Sequence, residues 1–246
     1  FRYILGNLND KFEKVNFEKL DISNLPELEQ FMLCKIFKMN LMFEKNFKIY
    51  NFHNLYKELL NFCTVDLSAF YFDIRKDSLY CDKIDSPKRK STIIFLNIFL
   101  EILLKWFAPI LSFTTEEIYS LLKINSNKSI HLENFPKIPS KWNDQDLEAK
   151  WNELIKIREI CNSSIELKRA EKEIGSSLEA NLIINLNEKM IKFTSGIDFS
   201  ELCITSAARI EKIKSEEIVV KTIKAEGQKC PVCWKISKNQ CERHSV

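Results

Sequence analysis

The stretch between Ser86-Pro87 and Pro109 most limits what this chain can fold into. Ile93, Ile94, Phe95, Leu96, Ile98, Phe99, Leu100, Leu103, Leu104 and Trp106 leave a helix almost no polar side. A helix that is apolar all round must be surrounded, by other helices or by lipid. Asn97, Glu101 and Lys105 interrupt the run 93–111, and a central charge costs about 2.5–3.5 kcal/mol on membrane-insertion scales. The expectation is therefore a helix from Pro87, with Ser86 as its cap, to Phe107 at the centre of a bundle, and no membrane span.

The flanking sequence supplies the partners of such a helix. Leu28, Phe31, Met32, Ile36, Met39 and Phe43 recur at helical spacing after Pro26 and predict a helix over 26–48. Leu55, Leu59, Phe62, Leu67 and Phe70 predict another over 52–72, with DIRKDSLYCDK as its exit loop. Residues 1–12 read as the end of a helix that begins upstream of Phe1. Thr114-x-x-Glu117 is a capping box for a short helix to Leu122, and the polar, proline-containing 124–142 reads as extended. Leu147, Trp151, Leu154, Ile157, Cys161 and Ile165 predict a long amphipathic helix over 143–172, stopped by Gly175. The pattern then changes to short β-prone runs at 180–186, 201–210 and 216–225 around a helical or irregular stretch at 187–195. Only 4 Gly and 6 Pro in 246 residues fit long helices and not a loop-rich β fold.

The expected fold is thus mainly α: a helical bundle over 1–142, a long connecting helix over 143–175, a small α/β module over 176–226 and a C-terminal knuckle over 227–246. The charge is uneven in the same sense. Residues 218–246 carry six Lys/Arg against Glu226 and Glu242, whereas the whole chain is only +3. A basic tail of this kind suits an anionic partner such as nucleic acid.

Eight cysteines divide into five scattered singly (Cys34, Cys63, Cys81, Cys161, Cys203) and three within the last 17 residues. That division points to buried thiols in a reducing compartment plus one metal site, and not to a disulfide framework. The spacing Cys230-x2-Cys233-x7-Cys241-x2-His244 places two close pairs around a short loop, as tetrahedral Zn2+ requires. A residue beyond Val246 is the alternative to His244 as fourth ligand. With four protein ligands the site reads as structural, one ion that shapes a segment too short to bury a core. No Ser/His/Asp set, carboxylate pair or Gly-rich phosphate loop is present, so no catalytic residue is expected.

FRYILGNLNDKF, NFHNLYKELLNFCTVDLSAFYFDIRKDSLYC, WFAPILSFTTEEIY, KEIGSSLEA and AEGQKCPVCW, in that order, resemble the C-terminal part of bacterial-type isoleucyl-tRNA synthetases of class I, over essentially the whole chain. WFAPILSFTTEEIY alone fits the valine and leucine enzymes as well; GSSLEA followed by the zinc element favours isoleucine. The resemblance implies a bundle that contacts the anticodon stem of an isoleucine tRNA, a junction module and a zinc module at the anticodon loop. It also implies a monomeric, cytoplasmic parent that uses ATP and Mg2+ in a catalytic domain. The HIGH-like and KMSKS-like motifs of that domain, and the editing domain, are not in this sequence, so the chain itself is not expected to aminoacylate. It departs from the family's usual four cysteines and longer loop. The rival expectation is a helical scaffold whose zinc module binds a protein.

The candidate tRNA-contact residues are basic or aromatic. Trp234, beside Cys233, is a platform on which an unpaired base could stack, or a packing residue. Lys229, Lys235 and Arg243 flank it. Arg75 and Lys76 follow the second long helical run, and Lys88, Arg89 and Lys90 fill the first turn of the next helix. Cations in a first turn oppose the helix dipole, which favours an external anionic partner.

Overall fold

The computed structural model describes residues 1–9, 11–124, 128–241 and 243–244. They form two compact units, Phe1–Asp144 and Gln145–Val246.

The first unit is built from α1 (Arg2–Leu8), α2 (Glu27–Lys48), α3 (Phe52–Asn61), α4 (Asp73–Cys81), α5 (Pro87–Phe107) and α6 (Ser112–Leu121). The helix expected at the centre is there: Phe95, Leu96, Ile98, Phe99, Leu100, Ile102 and Trp106 are fully buried along α5. Pro87 opens it with its preset φ, and the Ser86 side chain makes no cap bond. The polar residues that argued against a membrane are satisfied inside the bundle. The Asn97 Oδ1 accepts from the Glu13 N–H (2.8 Å), and Lys105 Nζ meets Glu101 at 2.9 Å. The indole N–H of Trp106 donates to Asn40 Oδ1 at 3.0 Å. No described helix is long and apolar enough to cross a membrane.

Three local expectations give way to tertiary structure. The predicted exit loop after Phe72 is instead helix α4, joined to α3 by a π-helical stretch over Phe62–Phe72. The Thr64 hydroxyl donates to the Leu60 and Asn61 carbonyls (2.9 and 3.2 Å), competing with the backbone at the entry to the wider turn. Helix continues beyond Phe72 because Ile74, Arg75, Ser78 and Leu79 face the interior. The short helix after Pro109 starts at Ser112, before the Thr114 capping box, with the Thr115 hydroxyl bonded back to Leu111 O. In 124–142, residues 125–127 lie outside the described set; the rest makes short turns at Ile130–Leu132 and Ser140–Trp142.

The second unit starts with α7 (Gln145–Ala170), whose Trp151, Leu154, Ile157, Cys161 and Ile165 are buried as their spacing predicts. The left-handed residue after it is Lys172 (φ 60), not Gly175, which instead donates its N–H to Glu179 Oε2 at 2.9 Å. The strands β1 (Ala180–Leu186), β2 (Ala207–Lys212) and β3 (Val219–Lys224) form a mixed sheet in the order β2-β1-β3. β2 runs parallel to β1 and β3 antiparallel to it. Alternate residues Ala180, Leu182, Ile184 and Leu186 are buried, and α7 packs on β1 and β3. Between β1 and β2 lie α8 (Glu188–Phe193) and α9 (Phe199–Leu202), so the run at 201–210 is helix and turn before it is strand. A two-stranded hairpin, β4 (Gln228–Lys229) and β5 (Ile236–Ser237), carries the C-terminal cysteines.

Candidate metal centre and its basic surroundings

The tip of the β4–β5 hairpin is a tight knuckle. Trp234 N–H donates to Cys230 O (3.0 Å) and Cys230 N–H to Lys235 O (2.9 Å), which turns Cys230 and Cys233 toward one point. After β5 the chain returns, and a turn with His244 N–H bonded to Cys241 O (3.0 Å) supplies the second pair. The ligand atoms of Cys230, Cys233, Cys241 and His244 all lie within 4.8 Å of one another. Cys233 Sγ is 3.8 Å from Cys241 Sγ, and His244 Nδ1 is 3.5 Å from Cys230 Sγ and 3.4 Å from Cys241 Sγ.

These separations fit a tetrahedral ion. Bonds of about 2.3 Å to sulfur and 2.0–2.1 Å to nitrogen put tetrahedral ligands about 3.8 Å apart for a sulfur pair and about 3.5 Å for sulfur and nitrogen. The set can therefore hold a metal ion with little rearrangement. The backbone N–H groups of Cys233 and Val232 stabilise the Cys230 thiolate and bring its pKa down to about 6, against the cost of burial. Burial pushes the Cys233 thiol up to about 12. A cation among the sulfurs reverses that preference, since a coordinating thiol is deprotonated outright.

The residues expected around the centre are placed as follows. Trp234 is 58% exposed and holds a left-handed φ of 63°, a conformation that a bulky residue rarely adopts. Lys229 Nζ lies 5.1 Å from the centroid of its ring. Lys235 is half-buried, and its Nζ donates to Ser200 Oγ at 3.3 Å, which ties the knuckle to α9. Arg243 is half-buried beside the ligands and already partnered.

In the first unit the basic residues differ among themselves. Arg75 is a correction to the sequence reading: it is 3% exposed and points inward, with Nε and Nη2 each 2.6 Å from an oxygen of Glu29. A guanidinium so buried and doubly bonded cannot reach an external phosphate. Lys76 pairs with Asp73 on the surface of α4 at 2.5 Å, and Arg89 donates to the Asp82 carbonyl at 2.7 Å. Lys88 is half-buried and partnered, whereas Lys90 is exposed. Sequence reasoning missed Asp198, Ser200 and Ser206, which hold the knuckle. Isolated small polar residues carry no periodic signal that could have singled them out.

The chain is thus a helical bundle joined in sequence to a sheet module whose Cys/His knuckle could hold a metal ion. Residues 29–184 match the family model described as the anticodon-binding domain of tRNA ligase, and the chain belongs to that family. It is 64% identical over 245 residues to the isoleucine–tRNA ligase of Pelagibacter ubique, all of this chain and 27% of that protein. It is 37% identical to the isoleucine–tRNA ligases of Agrobacterium fabrum and Bradyrhizobium diazoefficiens, over 96% of this chain and 25% and 24% of theirs. The chain thus spans about a quarter of the length of the curated relatives it matches.

Proposed function

We propose that this chain is the part of an isoleucine–tRNA ligase that holds the anticodon stem-loop, in a parent enzyme that esterifies tRNA with isoleucine using ATP and Mg2+ in a separate catalytic domain. The 64% identity to the Pelagibacter ubique ligase across the whole chain carries the reading. In this reading the bundle supplies phosphate contacts from exposed cations such as Lys76 and Lys90, which position the RNA. Trp234, Lys229 and Arg243 face the anticodon loop, where base contacts specify. Lys235, bonded to Ser200, supports the loop contacts from behind.

The ion is zinc, held by Cys230, Cys233, Cys241 and His244. Zinc supplies no reaction step; it fixes a hairpin whose strands are two residues each and gives a basic tail one shape. Three thiolates, a neutral imidazole and Zn2+ carry about one negative charge, which Lys229, Lys235 and Arg243 offset. The eight cysteines form no disulfide with one another, which fits the reducing cytoplasm we propose for a monomeric parent.

Titrating the zinc-loaded chain with isoleucine tRNA and with an anticodon-altered tRNA at two salt concentrations tests the reading. Expected is tighter binding of the isoleucine tRNA and a log–log salt slope of about one per phosphate contact. No binding, or binding without a salt slope, would leave the protein-scaffold alternative standing.

A further inference from the structure

The zinc knuckle and the sheet meet at one hydroxyl. Ser206 precedes β2, and its N–H donates to Ala180 O at 3.0 Å, at the start of β1. Its Oγ donates to Leu178 O at 2.5 Å and accepts from Ile236 N–H at 2.6 Å. One side chain therefore joins three segments that are distant in sequence: the turn before β1, the entry to β2, and strand β5 of the hairpin.

Ile236 is two residues beyond Trp234 and three beyond Cys233, so the Ser206 hydroxyl grips the strand that directly follows both. Two further ties converge there. Lys235 Nζ reaches Ser200 Oγ at 3.3 Å, with the Asp198 carboxylate in electrostatic range. Gly227, at φ 126, lies so close to the opposite strand that a Cβ would fall 2.2 Å from Ser237 O. The chain enters the hairpin flat against its return strand.

A metal fixes the internal shape of a knuckle but not its angle to the rest of the molecule. Strands of two residues cannot supply that angle by burying a core. Directional bonds to the rest of the unit can supply it, and the bond of Ser206 to Ile236 (2.6 Å) is shorter than that of Lys235 to Ser200 (3.3 Å). We propose that Ser206 is a positioning residue for RNA recognition: its hydroxyl sets the angle at which the knuckle presents Trp234, without touching metal or RNA. This rests on the reading of the chain as an anticodon-binding unit, but its structural half can be tested alone.

The experiment uses the zinc-loaded full chain as wild type, Ser206→Ala, Ser206→Thr and Ser206→Val. Thr and Val share a shape and differ in the hydroxyl. Zinc stoichiometry is measured by elemental analysis, knuckle motion by 15N relaxation of amides 228–238 against those of β1, and affinity by titration with isoleucine tRNA. Expected for Ala and Val is one zinc per chain, knuckle amides that reorient independently of β1, and roughly tenfold weaker tRNA binding, the effect of losing a bond of about 1.4 kcal/mol. Thr restores both readouts.

Knuckle amides that still tumble with β1 in Ala and Val overturn the proposal. So does loss of hydrogen-exchange protection at Leu182 and Ile184 together with Ile236, which would make Ser206 a support of the sheet and not of the angle. If wild type itself binds no tRNA, the anticodon reading fails, and the relaxation data still decide whether Ser206 sets the knuckle.

Discussion

Arg75 lies across the carboxylate of Glu29, 46 positions earlier in the chain, with two bonds of 2.6 Å, and both residues are almost completely buried. Tyr71 donates its hydroxyl to the same carboxylate at 2.9 Å and Thr92 at 3.5 Å, so α2, the π-helical stretch, α4 and α5 meet at one acid.

Removing one partner of this pair leaves the other charged and dry. Glu29→Leu or Arg75→Met is expected to cost about 3–5 kcal/mol, and the variant with both substitutions much less than the two singles combined. Chemical denaturation of the four proteins completes the cycle. Additive losses would show that the pair does not act as a unit.

Tyr71 makes this cluster sensitive to alkali. Burial first, and then the Glu29 charge, hold its pKa well above the usual tyrosine value. The folded state thus favours the neutral phenol. Its contribution is complete below about pH 10, the unfolded value, and is lost as pH rises from there toward the raised folded value. Tyr71→Phe is expected to lower stability at pH 7 and to flatten its decline above pH 10. A parallel decline in both proteins, followed by circular dichroism in urea at a series of pH values, would count against Tyr71 as the source.

Metal removal should act locally. Chelation is expected to disorder the knuckle and leave the helical signal of α2 and α5 intact, because the four ligands found among the described residues all lie in the knuckle. His244→Ala should weaken zinc binding by more than the roughly 10–100-fold that loss of an outer partner costs. Elemental analysis after dialysis decides: full occupancy without the imidazole would mean that the fourth ligand lies elsewhere.

What could be read in advance followed from local physics. Prolines and 3.6-residue spacing placed α5 and the buried stripe of α7, because both are properties of one helix. The Cys/His spacing brought four ligand atoms together for the same reason, two short turns. Arg75 was misread because its partner is 46 residues away, and nothing in RKDS shows which way a guanidinium turns. Gly175 was read as a helix stop on propensity, whereas Lys172 takes the left-handed position itself. Lys235 and Ser206 show the same limit: their roles exist only once the hairpin lies on the sheet.

Trp234 offers a test in which stability and binding separate. Its left-handed φ of 63° costs about 1 kcal/mol in a non-glycine residue, and its ring recovers part of that by sitting 5.1 Å from Lys229 Nζ. Trp234→Asn removes both, since asparagine tolerates this backbone and has no ring, so melting temperature and zinc content should scarcely change. A base stacked on the exposed face would be lost, at about 1–3 kcal/mol, or roughly 5- to 150-fold in tRNA affinity. The comparison needs titrations and melts on the same zinc-loaded preparations. Unchanged affinity would return Trp234 to a packing role; a large fall in melting temperature would show that its ring stabilises the knuckle more than its backbone strains it.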